Sequence, residues 1–458
     1  MKIVICGAGQ VGFNIARHLA QEGNDVTVVD QSPENIRRIN DSLDAQGIIG
    51  HASRPDVLER AGAADADMII AVTHTDEVNM VACEVAHSVF EVPLKIARIR
   101  DQSYLDPAWA NLFSRDHLPI DVIISPEREV AKAIARRLKV PGSFEMISFA
   151  DDRVRLLGVR CDANCPLINT PIKQLTQLFP TLNIVIVGLI RRDEAMRLSG
   201  DDQLLVGDDV YFVVETGQVS RAMAAFGHEE PEARRLLLCG GGNIALLLAQ
   251  AIEADAAGVT VKIIERNAER AAAVASMLSG TVVLHGDVLD PEILDEAGVA
   301  TTDTVVAVTD DDETNVLASL LAKRHGASRA VTLLNKATYE PLVRTLGIDV
   351  VVSPRNITAS SILQHVRRGR IHAVHALREG FGELIEAEAL ETSSLVGTPL
   401  REIRLPPGVM VGAIVRNGSV ISPRGATVIQ AKDRVVLFAA AESVRKVERL
   451  FSVRLEYF

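Results

Sequence analysis

The sequence is short of cysteine, of basic charge, of long apolar runs and of catalytic tyrosine motifs, and each shortage removes a class of function. Five cysteines in 458 residues (positions 6, 83, 161, 165 and 239) form an odd set without framework spacing, so the chain reads as a reduced, cytosolic protein. Cys161-x-x-x-Cys165 lacks the paired knuckle and nearby histidine of a structural zinc site. The net charge of −12 argues against a general nucleic-acid or anionic-lipid surface, because both attract an excess of Lys and Arg. Two basic runs exist, Arg136-Arg137-x-Lys139 and Arg367-Arg368-x-Arg370, each near a predicted helix C-terminus, where cations offset the helix dipole. No stretch approaches the ~18 apolar residues of a membrane span, and the apolar start MKIVIC flows at once into a glycine turn. None of the four tyrosines begins Tyr-x-x-x-Lys.

What the chain does have is a hydrophobic content of 48%, enough for well-buried α/β domains, and an internal duplication. CGAGQVGFNIARHLA at Cys6–Ala20 returns as CGGGNIALLLAQ at Cys239–Gln250. AVTHTDEVNMVA at Ala71–Ala82 returns as AVTDDDETNVLA at Ala307–Ala318, and DVIISPEREVAKAI at Asp121–Ile134 as DVVVSPRNITASSI at Asp349–Ile362. The pairs keep their order, so four domains in the order A–B–A′–B′ are expected, with boundaries at 1–138, 140–227, 232–366 and 370–458. The polar stretch HEEPEARR at 228–235 reads as the linker.

In each A domain, short β-branched runs alternate with helical stretches: strands at 2–6, 25–29, 46–49, 68–72 and 95–99, then a final αβ unit ending at 121–125. That alternation predicts an α/β fold with a doubly wound parallel sheet. The B segments, with runs such as RLLGVR, NIVIVGLIRR and DVYFVVE, predict small α+β modules.

Gly7-x-Gly9-x-x-Gly12 follows the first strand and opens a helix. In such a Rossmann-type fingerprint the first glycine permits the turn, the second admits a pyrophosphate and the third allows close helix–strand packing. The candidate residues are Gly7, Ala8, Gly9, Gln10, Val11 and Gly12, with Asp30 at the end of the second strand to accept from ribose hydroxyls. An acid there disfavours a 2′-phosphate, so NAD is preferred to NADP. The second copy offers Gly240, Gly241, Gly242, Asn243 and Ile244, with Ala245 in the third glycine's place and Glu265 as the acid. Thr73 and His74, and Thr309 and Asp310, end the fourth strand of each sheet, where doubly wound folds hold ligands. Ser53 and Asp287 follow the third strands. Arg98 and Arg100 end the fifth strand of the first copy and suit phosphate recognition, whereas their counterparts are Leu333 and Asn335. His228, His372 and His375 lie at domain junctions and read as structural. A ligand sensor therefore fits the chain better than a cytosolic NAD-dependent oxidoreductase, the alternative reading.

The tandem order, the CGAGQVG start, Asp30, AVTHTDEVNM and DVIISPEREVA resemble the regulator-of-potassium-conductance (RCK) family over essentially the whole chain. The resemblance implies a non-enzymatic regulatory subunit with NAD(H) and ATP or ADP as ligands. It also implies a ring-forming homo-oligomer, expected as a tetramer, held at the cytoplasmic face of the inner membrane by a potassium-translocating integral membrane subunit. One departure is His51, where the second copy has Asp287 and the family pattern usually has an acid. A charge difference at a terminal phosphate, read by Arg98 or Arg100, is the expected source of gating free energy. The helices at 126–138 and 354–367 are candidate pairing surfaces through Val130, Ile134 and Leu138, and through Ile357, Ser361 and His365.

Overall fold

The computed structural model describes residues 1–179, 181–192, 194–196, 198–255, 258–366, 371–377 and 381–451. The chain divides into two compact units, Met1–Val130 with Ser353–Val366, and Ala131–Val352 with Arg367–Phe458.

The first unit is built on six parallel strands: β1 (Lys2–Cys6), β2 (Asp25–Asp30), β3 (Gln46–Ile49), β4 (Met68–Ala71), β5 (Leu94–Arg98) and β6 (Val122–Ile124). Their order is β3-β2-β1-β4-β5-β6, which places the reversal of strand direction of travel between β1 and β4. Ile3, Ile5, Val26 and Val28 face one helical layer and Val4, Cys6, Val29 and Ile69 the other, so the central strands are apolar on both faces. Helices α1 (Gln10–Gln21) and α2 (Pro33–Ser42) contribute Ile15, Leu19, Ile36 and Ile39 to the first layer. Helices α3 (Pro55–Arg60) and α4 (Asp76–Ser88) contribute Val57, Leu58, Met80 and Cys83 to the second.

Two expectations need correction here. The stretch between β5 and β6 holds no α-helix, only 3-10 segments at Gln102–Leu105 and Pro107–Phe113. Asp101 and Asp106 each accept the N–H two residues on (Ser103 at 2.9 Å, Ala108 at 2.8 Å), and such local side-chain bonds compete with helix propagation. The second correction concerns the helix at Pro354–Val366, which closes the second repeat in sequence yet lies in the first unit. Its Ala359, Ile362, Leu363 and Val366 complete the core around α1. Thr358 is also buried, its hydroxyl donating to the Pro354 carbonyl at 2.7 Å. The face expected from Ile357, Ser361 and His365 is not the buried one, and His365 is exposed.

The second unit takes up within α5 (Pro126–Leu138), at Ala131, and Val130, Ile134 and Leu138 of that helix are buried. Arg137 of the first basic run is buried too, ion-paired with Glu145, which adds a local partner to the dipole reading of that run. Arg367, Arg368 and Arg370 lie outside the described residues. The first small module has β7 (Ser143–Phe149), β8 (Val154–Arg160), β9 (Ile184–Arg191), β10 (Glu194–Met196) and β11 (Asp209–Glu215), with short helices α6 (Leu175–Leu178) and α7 (Val219–Ala225). The second parallel sheet repeats the first strand for strand: β12 (Arg235–Cys239), β13 (Thr260–Glu265), β14 (Val282–His285), β15 (Thr304–Ala307), β16 (Arg329–Leu333) and β17 (Val350–Val352), ordered β14-β13-β12-β15-β16-β17. Its helices include α8 (Asn243–Asp255), α9 (Ala268–Ser276), α10 (Pro291–Glu296), α11 (Asp312–Arg324) and α12 (Glu340–Thr345), while the helix at Pro354–Val366 is α13. The last module is β18 (Ile371–Ala376), β19 (Gly382–Glu388), β20 (Val409–Arg416), β21 (Ser419–Ile421) and β22 (Arg434–Ala440), closed by α14 (Val444–Phe451).

The two small modules share one core. Phe144, Phe149, Val187, Tyr211 and Val213 of the first pack with Leu377, Phe381, Leu384, Ala413 and Phe438 of the second. Gly412 lets the sheets approach: a Cβ there would stand 2.8 Å from Val213 Cγ2. Buried Glu386 accepts from Ala150 N–H at 2.9 Å and pairs with Arg434, which also reaches Asp151 at 2.6 Å. Among the described residues no helix is long and apolar enough to cross a membrane.

Candidate nucleotide-binding sites

Each parallel sheet carries its glycine loop at the carboxyl end of its first strand. In the first, Gly7 has φ +109°, its N–H donates to the Val29 carbonyl at 2.7 Å, and a Cβ on it would meet Thr73 N at 3.0 Å. A glycine is therefore required by both conformation and space. Buried Gly12 packs on the Gly7 peptide, where any Cβ would overlap the carbonyl. Gly9 is different: a Cβ there meets nothing within 4 Å, so the loop presents an open face at the start of α1. That helix has no side-chain N-cap bond and no acid in its first turn, which leaves its N–H groups for an anion. Gln10 is exposed and Val11 half-buried on that turn.

Asp30 is the hub of the loop. Its Oδ2 accepts from Ala8 N–H at 2.6 Å and its Oδ1 from Ser32 N–H at 2.8 Å, the latter residue also capping α2. Arg38, one turn into α2, stacks on Phe13 at 4.4 Å and donates to the Ala8 carbonyl at 3.0 Å.

The second loop repeats this wiring. Gly240 has φ +101°, Gly242 is the open position, and Gly241 N–H donates to Glu265 Oε2 at 2.6 Å. Asn267 N–H donates to Glu265 Oε1 at 2.7 Å, and Arg270 Nε to the Gly241 carbonyl at 2.8 Å. Arg270 also reaches the Asn243 amide oxygen at 2.9 Å, and Ile244 is half-buried behind it. Ala245 is fully buried where the first copy has Gly12.

At the end of the fourth strands, Thr73 and Thr309 are held by a residue that sequence reasoning passed over. Fully buried Asn79 accepts from Thr73 N–H at 2.8 Å and from its hydroxyl at 2.7 Å, and donates to the Arg98 carbonyl at 2.9 Å. Asn315 makes the corresponding bonds to Thr309 at 2.8 and 2.7 Å. His74 and Asp310 are exposed beside these turns. Arg98 donates to the Thr73 carbonyl at 2.6 Å, which brings it beside the glycine loop. Burial, reinforced by the Arg100 charge, lowers its pKa, and its buried Nε has no hydrogen-bond partner among the described residues. Arg100 stands further out, exposed and paired with Glu127 at 3.0 Å. Buried Asp76 accepts from Arg100 N–H and Asp101 N–H, both at 2.8 Å, as Asp312 does from Asn335 and Lys336 in the second copy. Leu333 is buried where Arg98 would be.

The segment after β3 is tied to the site through Gly50 N–H, which donates to the Asp30 carbonyl at 3.0 Å. His51 Nδ1 lies 2.8 Å from Ser53 Oγ, and Asp287 accepts Leu289 N–H at 2.9 Å. His51 thus closes the same two-residue turn that the carboxylate closes in the second copy. The repeat itself held part of the signal for the missed residues: Asn79 and Asn315 occupy equivalent places in the two copies, whereas Arg38 and Arg270 reach the corresponding loop carbonyl from different positions of their helices, Arg270 aligning with Asn35.

With this geometry in view, comparison with known proteins is decisive. The TrkA-N domain model matches residues 3–126 and 236–354, and the TrkA-C domain model residues 156–227 and 384–452. The chain is 55% identical over 458 residues to the Trk system potassium uptake protein TrkA of Azorhizobium caulinodans, covering 100% of both chains. The chain belongs to the TrkA family. Family members of the same name from Halomonas elongata (40% identity, 100% of both chains) and Vibrio alginolyticus (40%, 98% of both) extend the match. TrkA proteins are regulatory subunits of potassium uptake. The fold is also that of the GsuK channel (TM-score 0.61, 18% identity, 98% of this chain and 78% of that one) and of the GsuK RCK domain (TM-score 0.59, 19% identity, 99% and 95%).

Proposed function

We propose that this TrkA-family chain senses nucleotides at both fingerprints and, by doing so, gates a potassium-translocating integral membrane subunit. The observation that carries the reading is the doubled loop: an acid bonded to the loop N–H, an arginine bonded to the loop carbonyl, and an open glycine at an uncapped helix start. NAD(H), ATP and ADP fit this set. A pyrophosphate rests on the open faces of Gly9 and Gly242, and the ribose hydroxyls donate to the remaining lone pairs of Asp30 and Glu265. A structural neighbour of the same fold is described as the GsuK channel bound to NAD, which supports the choice of ligand (TM-score 0.59, 18% identity).

The first site takes a polyphosphate more strongly, because the buried Arg98 Nε has no partner among the described residues and Arg100 stands beyond it, whereas Leu333 and Asn335 replace them in the second. Ligand-dependent gating then follows from a difference in affinity between two conformations of a ring of such chains. The chain works as a regulator, not an enzyme, at the cytoplasmic face of the inner membrane, assembled as a tetramer. In sequence its domains are the two Rossmann repeats at 1–138 and 232–366 and the two small modules at 140–227 and 370–458, with the helix that ends the second repeat packed in the first unit.

The test is calorimetric titration with ATP, ADP, NAD and NADH of the wild type, Asp30→Ala and Glu265→Ala. Each substitution is expected to abolish one class of site. Binding no tighter than about millimolar, roughly 4 kcal/mol, in the wild type would sink the reading.

A further inference from the structure

Cys161 and Cys165 sit side by side in the first small module, their sulfurs 3.8 Å apart and hydrogen-bonded. The pair is built by the turn that leaves β8. Cys161 is fixed at both ends of its peptide, donating to the Asp208 carbonyl at 2.9 Å and accepting from Gly207 N–H at 2.7 Å. Cys165 N–H donates to the Asp162 carbonyl at 3.2 Å, which folds the second sulfur back onto the first. The second module keeps the same turn without the chemistry. Ala389 donates to the Asp433 carbonyl at 2.8 Å in the place of Cys161, and Ser393 donates its N–H to Leu390 O at 2.9 Å in the place of Cys165. The fold therefore does not need sulfur at either position.

We propose that Cys161 and Cys165 form a reversible disulfide modification site, oxidised by hydroperoxides, that reports to the turn leading into the second parallel domain. The proposal does not rest on the nucleotide reading. Cys165 is the nucleophile. The hydrogen bond with Cys161 comes first among the influences that hold its thiol below the ordinary range, with Leu167 N–H and the His228 ring adding to it against the effect of burial. All five cysteines are buried. Burial pushes the thiols of Cys6, Cys83 and Cys239 up, Cys6 and Cys239 to about 12, and within the pair the hydrogen bond with Cys165 and burial push Cys161 up, so Cys165 alone is held low. Only the thiolate attacks, so Cys165 is the attacking group and Cys161, its sulfur 3.8 Å away, is the thiol placed to resolve the product.

In the first step the Cys165 sulfur attacks one peroxide oxygen and the O–O bond breaks. The departing alkoxide takes up the thiol proton as an alcohol, or as water from hydrogen peroxide, and leaves a sulfenic acid on Cys165. The Cys161 sulfur then attacks the Cys165 sulfur, and the hydroxyl leaves as water with the Cys161 proton. Two thiols lose two electrons and two protons, and the peroxide is reduced.

Closing the sulfurs from 3.8 Å to the ~2.05 Å of a disulfide requires the turn to move. Its neighbour is Gly227, at φ +88°, packed so closely that a Cβ would stand 3.1 Å from the Asn164 carbonyl oxygen and 3.2 Å from Pro166 Cδ. Gly227 and His228 begin the linker to β12, so the strain of the bond is delivered there.

The experiment treats the full-length native protein with hydrogen peroxide and digests it with trypsin. Cleavage after Arg160 and Lys173 releases both sulfurs in one peptide, 161–173, which contains no other cysteine. The expected result is a peptide lighter by two hydrogens, restored by dithiothreitol, formed before Cys6, Cys83 or Cys239 is modified. Hydrogen exchange at 227–234 should change in the oxidised wild type and stay unchanged in peroxide-treated Cys165→Ser. A peptide that stays reduced, or passes to sulfinic acid without a disulfide, overturns the proposal. A disulfide that leaves exchange at 227–234 unaltered overturns its link to the linker.

Discussion

Gly12→Ala sets two opposed energies against each other, and the duplicated chain supplies the control. Gly12 lies inside α1, where alanine is favoured over glycine by about 1 kcal/mol. On that count alone the variant would be more stable. The added Cβ, however, would stand 2.9 Å from the Gly7 carbonyl carbon and overlap its oxygen, and both are backbone atoms. Reaching an ordinary C–H···O separation of ~3.3 Å means pushing the loop back by more than an ångström. Forced overpacking of this kind costs roughly 1–3 kcal/mol, so the clash outweighs the propensity gain or cancels it. The loop that moves is the one that Asp30 and Arg38 hold from either side, so ligand binding suffers more than folding does. The expected outcome is a small change in thermal midpoint with first-site nucleotide affinity down by about tenfold or more, or ~1.4 kcal/mol, in calorimetric titration. Ala245→Gly, the reverse change at a place already shaped for alanine, should cost about 1 kcal/mol of helix stability and leave second-site affinity within a few-fold. If Gly12→Ala binds as the wild type does, close packing of the third glycine does not set the loop position, and the reasoning fails.

Arg38→Ala and Arg270→Ala each remove one hydrogen bond to a loop carbonyl, at 3.0 and 2.8 Å, and should weaken nucleotide binding at their own site by about 0.5–1.5 kcal/mol, read by titration of each variant. Glu386→Ala strips the buried partner from Arg434 and the acceptor from Ala150 N–H, and should lower unfolding free energy by about 3–5 kcal/mol in urea titrations. His375, packed against the Phe149 ring at 5.3 Å, has its pKa lowered by burial from 6.5 to about 4. Its folded pKa lies below its unfolded one, so the unfolded state binds the extra proton and stability falls as pH drops from about 6.5 towards 4. Between pH 7 and pH 5 this group should account for about 1–2 kcal/mol of lost stability, absent in His375→Asn when unfolding is followed across that range.

The parallel sheets were legible because their central strands are short and β-branched, and because the fingerprint glycines are dictated by local geometry. Gly7 and Gly240 take the positive φ that the motif demands, and Asp30 and Glu265 stand where the motif places its acid. Side-chain wiring across elements was harder to read. Nothing in the spacing of Arg98 announces a bond to Thr73 O, and Arg38 lies far from the loop in sequence but one helix away in space. Helix α13 was misread because its buried stripe includes Thr358 and Ala359, residues that a hydrophobicity pattern discounts. The segment after β5 was misread because capping by Asp101 and Asp106 overrode its helical composition.

Helix α13 also has a consequence for synthesis. The first parallel sheet has all its strands once Ile124 has emerged, but the helix that covers its α1 side ends at Val366, roughly 240 residues later. At translation rates of about 5–20 residues per second, the nascent chain carries an uncovered apolar face for roughly 12–50 s. Vectorial folding from the N-terminus is therefore suspended midway, the first domain a natural client for a chaperone. Cutting the chain at its linker would give a front half that stays incomplete until it meets the back half.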